Sequence, residues 1–170
     1  MEIHRFARPP EELSSGDPYF EQLQAMLAIR DELANIPLCE IQRDMLLSME
    51  NVLESAWSFR NTLIPNRCMN PNNISEVVYY FLQDKGIEYR GDLLYERAKA
   101  EFDARMEELA ALPPQKILDH AYEKIVKEDF LCHLKNGLNE WEIDVLLSYQ
   151  QPLAALYTEW MEIDHSYLDL

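Results

Sequence analysis

Apolar residues recur every three to four positions along most of this 170-residue chain, the period of helices that bury one face. Asp17-Pro18 offers an N-cap followed by Pro at the first helical position, and Tyr19, Phe20, Leu23, Met26, Leu27 and Leu33 then keep helical spacing. The pattern predicts a first helix that runs to about Asn35. Pro37 ends it and opens a second, in which Leu38, Ile41, Met45, Met49, Val52, Leu53, Ala56 and Leu63 hold the period as far as Pro65. Residues 65–73 contain two Pro and four Asn, which is turn chemistry and a candidate boundary between two helical subdomains.

Beyond that loop, Ser75 reads as the cap of a short helix, Glu76 to Lys85, with Gly86 as its stop. Its run Val77-Val78-Tyr79-Tyr80-Phe81-Leu82 is also strand-prone. Asp92 opens a fourth helix, with Leu94, Ala98, Phe102, Met106 and Leu109 on one stripe, ended by Leu112-Pro113-Pro114. A fifth carries Ile117, Leu118, Ala121, Ile125 and Leu134 to a stop at Asn136-Gly137. Asn139-Glu140-Trp141-Glu142 reads as a capping box for a sixth, and Pro152 starts a seventh with Leu153, Leu156, Tyr157, Trp160 and Ile163. The expected fold is all-α: seven helices in a compact bundle, divided into a lead-in (1–16), an N-terminal helical hairpin (17–64), a loop (65–74) and a C-terminal helical domain (75–170).

Composition narrows the chemistry. Only 4 Gly against 9 Pro leave few positions for phosphate-cradling loops or tight hairpins, which argues against a P-loop, a dinucleotide fingerprint and most all-β folds. Three cysteines, Cys39, Cys68 and Cys132, are too few and scattered for a disulfide framework, so a reducing cytoplasm is the expected setting. No stretch has the length and apolarity of a signal peptide or a membrane span.

Candidate catalytic and metal chemistry is thin. Glu162-Ile163-Asp164-His165 is a Glu-x-x-His, half of a di-iron bundle motif, but neither His120 nor His133 has a Glu three residues before it. Cys132 and His133 are adjacent and so point to different sides of a helix. A nucleophilic Cys132 would need His120 or His165 across the fold, with Asp119 to orient it, and an unreactive Cys filling an amphipathic helix is the simpler reading. No catalytic residue, metal or cofactor is expected.

Charge is the informative feature. Thirty-one acids against 15 bases give a net charge of −16, a field that repels nucleic acid and anionic lipid. Residues 136–170 hold seven acids and no Lys or Arg, and Glu40/Asp44, Glu50/Glu54 and Asp103/Glu107 are like-charged i, i+4 pairs, each costing a helix a few tenths of a kcal/mol. One reading is an ordinary solvated face. The other is a surface built for a basic partner, formed by Glu140, Glu142, Asp144, Glu159, Glu162, Asp164 and Asp169, with Trp141 between two carboxylates as its apolar anchor.

The second half of the chain also carries a resemblance. Leu94-Tyr95-Glu96, the block from Leu112-Pro113-Pro114-Gln115 through Asp119-His120-Ala121-Tyr122-Glu123, Lys127-Glu128-Asp129-Phe130-Leu131, Pro152-Leu153 and the acidic, aromatic end from Tyr157 to Leu170 are its residues. From 94 to 170 the chain resembles an uncharacterised family of small helical domains encoded mainly by clostridial and related gut bacteria, often in phage-like or conjugative elements. That resemblance implies a mobile-element setting. Anti-CRISPR proteins are similar in size, charge and lack of catalytic motifs, and several of them occupy the basic channel of a Cas nuclease as phosphate mimics.

The function expected from these observations is a non-enzymatic inhibitor that binds a basic nucleic-acid-handling protein, such as a CRISPR effector nuclease, by presenting carboxylates in place of phosphates. It would touch no nucleic acid and no membrane. The alternative is a helical adaptor or homodimer without mimicry, with the helix over 38–63 as its face, so that monomer and dimer both stay open.

Overall fold

The computed structural model describes residues 18–63, 70 and 72–163, in which helices are joined by short connections and no strand occurs among the described residues. The elements are α1 (Pro18–Asn35), α2 (Glu40–Ser48), α3 (Val52–Leu63), α4 (Ile74–Ala110), α5 (Pro114–Asp119), α6 (Ala121–Asn136), α7 (Glu140–Leu147) and α8 (Pro152–Glu162). The all-α expectation is met, and the strand-prone run 77–82 is helix. The chain divides into two compact units, one up to Gly86 and one from Ile87 onward.

In the first unit α1 packs against α3. Leu23, Met26 and Ile29 of α1, Met45 of α2, Val52, Leu53, Ala56 and Phe59 of α3, and Val77, Val78, Phe81 and Leu82 of α4 are buried. The Phe59 and Phe81 rings meet edge to face at 5.6 Å, the arrangement the ring quadrupoles favour. The single long helix predicted over 38–63 is two helices. Met49 is extended (φ −79°, ψ 129°), and Asn51 restarts the ladder by accepting from the Ser55 N–H through its carbonyl. Nor does Pro37 open it: α2 starts at Glu40, where the Gln42 side chain accepts from the Cys39 N–H at 3.1 Å.

The two short helices predicted at 76–85 and from Asp92 are one continuous α4. Asn73 rather than Ser75 caps it, with its side chain accepting from the Glu76 N–H and its carbonyl from Val77. Gly86 and Gly91 lie inside this helix, and neither takes the positive φ of a helix stop. Interior Gly costs a helix about 1 kcal/mol relative to Ala. The buried side chains on either side, Phe81 and Leu82 before and Leu94 and Ala98 after, outweigh that cost.

In the second unit Leu94 and Ala98 of α4, Leu134 of α6, Ile143 and Leu146 of α7 and Leu153 of α8 form the core, with Tyr95, Phe102 and Phe130 among the half-buried side chains against it. The helix predicted from Pro114 to Asn136 is interrupted at His120 (φ −103°, ψ 4°), giving α5 and α6; the stop at Asn136-Gly137 stands. Its apolar stripe also differs. Leu134 of the predicted stripe is buried, but Ile117, Leu118 and Ile125 are exposed, and Val126 and Lys127, which lay off it, are buried. A lysine occupies a core-facing position, so reading Lys as polar turns the inferred stripe away from the true one. Cys132, expected inside, is exposed for the same reason.

Candidate functional site

The C-terminal turn sequence builds the most distinctive surface of the second unit. Asn139 accepts from the Glu142 N–H at 3.1 Å and Glu142 accepts from the Asn139 N–H at 2.8 Å, the reciprocal capping box expected here. With Ile143 and Leu146 buried, helical geometry turns position 141 away from them, and Trp141 is 72% exposed. An indole this accessible, flanked in sequence by two carboxylates, is unusual for a residue that ordinarily buries most of its surface.

The carboxylates around it have structural partners. Glu140 Oε1 accepts from Arg90 Nη2 at 2.6 Å, and Asp144 Oδ1 lies 3.3 Å from Arg90 Nη1. The acids of 136–170 have no cation near them in sequence, yet α4 supplies one from fifty residues earlier. Two more α4 side chains continue the same seam. Arg97 donates to the carbonyls of Leu147 and Tyr149 at the end of α7, and Glu101 accepts from the N–H groups of Leu153 and Ala154 at the start of α8. A cation thus meets a helix C-terminus and an anion a helix N-terminus, the favourable sense of the helix dipole in both cases.

The other candidate residues separate. Glu142 is turned back onto Asn139. Glu159 and Glu162 lie exposed on α8 and have no ion-pair partner among the described residues. Asp164 and Asp169 lie outside the described residues, as do His165, Cys68 and the rest of the Glu-x-x-His motif beyond Ile163.

A second polar cluster, which the sequence reading missed, sits between α4 and α6. Glu123 accepts from Arg105 Nε at 3.0 Å and Nη2 at 3.1 Å and from Lys127 Nζ at 2.8 Å, and His120 Nδ1 lies 3.1 Å from Oε2. The Arg105 guanidinium holds the Glu123 carboxyl down at about 2, and Glu123 in turn raises Arg105. Lys127, 7% exposed, also lies over the Tyr157 ring at 5.1 Å. The signal in the sequence is Glu123-x-x-x-Lys127, an i, i+4 pair on a helix whose apolar period it interrupts.

Two open clefts mark this unit. One, of about 510 Å³, has Ile87, Tyr95, Leu138 and Ile143 among its walls, with Glu88, Asp92 and Lys135 also lining it. The other, of about 480 Å³, is lined by Glu101, Arg105, Glu108, Lys127, Gln150 and Gln151, so its cations already face internal carboxylates. Among the described residues no group of three or more His, Cys, Asp or Glu side chains could hold a metal ion. Also among the described residues, no helix is long and apolar enough to cross a membrane.

These features define an all-helical unit whose candidate chemistry is that of a protein surface: an exposed aromatic, paired carboxylates and a half-buried ionic cluster around Glu123. Residues 90–170 match the sequence model of the family described as "Protein of unknown function (DUF3848)". No curated protein and no solved structure matches the chain.

Proposed function

We propose that this chain is a non-enzymatic, acidic binding protein that docks onto a basic nucleic-acid-handling protein and blocks it, with Trp141 as the apolar anchor. The carrying observation is the 72% exposure of Trp141 in the first turn of α7, beside Glu140 and Asp144. Aromatic side chains that pack into a partner are the usual centres of binding energy, and a charged rim steers the approach. The excess of acids over bases gives that rim its sign.

The mimicry in this reading is partial. Arg90 neutralises part of the charge of Glu140 and Asp144, so the steering field comes from the acidic chain as a whole, with Glu159 and Glu162 among its exposed contributors. A CRISPR effector nuclease, whose nucleic-acid channel is basic, is the first partner to test. The experiment is capture by the tagged protein from nuclease-treated lysates that each express one such effector, eluted along a salt gradient. Capture that is lost at moderate salt and displaced by the effector's guide or target DNA supports the proposal. Capture of no basic protein, or a partner retained at high salt and indifferent to nucleic acid, overturns it.

A further inference from the structure

The larger cleft of the second unit, about 510 Å³, lies where the middle of α4 meets the end of α6 and the start of α7. Leu134 and Ile143 of the core form its floor, and the half-buried Ile87, Tyr95 and Leu138 form its walls. Gly91 and Gly137, two of the chain's four glycines, line it as well. Gly91 lies inside α4, where Gly weakens a helix relative to Ala, and no positive φ calls for it. Nor does packing demand it: a Cβ built there meets Ile143 Cδ1 at 3.7 Å, an ordinary van der Waals contact. A longer side chain at this position would enter the cleft, so the glycine keeps open a space of the size that small ligands occupy.

Charges of both signs line the same cleft. Asp92 is exposed and has no ion-pair partner among the described residues, and Glu88, one turn earlier on α4, adds to the negative field on that side. On the α6 side the Lys135 ammonium lies 5.7 Å from the centre of the Tyr95 ring, and it too has no ion-pair partner among the described residues. A carboxylate and an ammonium thus border one apolar cleft without pairing to each other. A ligand with a single charge would leave one of them unanswered, and a purely apolar ligand would take water from both. We propose that this cleft binds a free α-amino acid with a large apolar side chain. Its ammonium would meet Asp92 and its carboxylate Lys135, while its side chain would lie over Gly91 against Ile87, Tyr95 and Leu138.

The test is a titration of the isotope-labelled full chain with L-phenylalanine and with L-leucine, followed by amide chemical shifts. Saturable shifts are expected at residues 87–95 and 137–138. Phenethylamine lacks the carboxylate, phenylpropanoate the ammonium and glycine the side chain, and each should bind at least about fivefold more weakly than L-phenylalanine. Asp92→Asn and Lys135→Gln should weaken L-phenylalanine by a similar factor at an unchanged melting temperature, since both positions are exposed. Gly91→Leu should abolish binding by filling the cleft. Trp141→Ala should leave it unchanged, which separates this site from the docking turn proposed above. No saturation by about 10 mM of either amino acid, shifts centred elsewhere, equal binding of phenethylamine or phenylpropanoate, or full affinity in either charge variant would each overturn the proposal.

Discussion

Arg90 Nη2 bonds Glu140 Oε1 at 2.6 Å, and the same guanidinium lies 3.3 Å from Asp144, so one arginine of α4 holds two carboxylates a helical turn apart on α7. Without it, Glu140 and Asp144 are a repelling i, i+4 pair. Both acids are about half exposed, which limits the strength of each bond. Arg90→Ala should cost about 1 kcal/mol in thermal unfolding at low salt, and the difference should shrink toward zero in about 1 M salt as screening removes the repulsion.

Glu123 makes stability depend on acid. Its pKa lies near 2 in the folded protein, below the usual carboxylate range, because Arg105 and Lys127 favour the ionised form. A lowered folded pKa gives stability that is complete above the unfolded value and is lost as pH falls toward the folded one. Unfolding free energy should therefore fall between about pH 5 and pH 2, and Glu123→Gln should flatten that fall. At pH 7 the same variant should lose about 3 kcal/mol, since it leaves the buried Lys127 ammonium short of its counter-charge. Denaturant titrations at a series of pH values measure both effects.

Trp141 contributes little to folding and much to the proposed docking. Trp141→Phe should abolish most of the acrylamide-accessible indole emission while shifting stability by less than about 0.5 kcal/mol. Trp57 and Trp160, half-buried, should account for the protected remainder.

Gly86 offers a stabilising change. It lies inside α4, no positive φ is required there, and a Cβ built on it meets nothing within 4 Å. Gly86→Ala should raise stability by about 0.5–1 kcal/mol through the lower entropy of the unfolded chain, read as a shift of the denaturation midpoint with an unchanged slope.

Glu159 and Glu162 separate charge from fold. Each is exposed on α8 and neither caps a helix or holds a cation among the described residues, unlike Glu140, Glu142 and Asp144. The double charge reversal to Lys should leave the melting temperature within about 0.5 kcal/mol equivalent. Reversal of Glu142 should cost about 1 kcal/mol by removing the reciprocal cap of α7.

Local signals were legible in the residues themselves. The capping box at Asn139, the Pro at the start of α8 and the end of α6 at Asn136-Gly137 are short-range chemistry, and the pattern found them, whereas the exposure of Trp141 became visible only in the structure. Signals that depend on tertiary burial were not legible. Gly86 reads as a helix stop until its buried neighbours are known, and Met49 continues an apolar period that the backbone abandons. The phase of α6 was misread because buried Lys127, satisfied by Glu123, looks like a surface residue in one dimension. The Arg90 clamp joins residues fifty apart, a separation over which periodicity carries no information.

The most direct test of the central claim is the affinity of a captured basic effector for the wild-type chain and for Trp141→Ala, each measured across a series of salt concentrations. The account predicts that log affinity falls steeply and linearly with log salt, and that Trp141→Ala weakens binding by about tenfold or more at every salt without changing the slope. A flat salt dependence, or equal affinity of the two proteins, would contradict it.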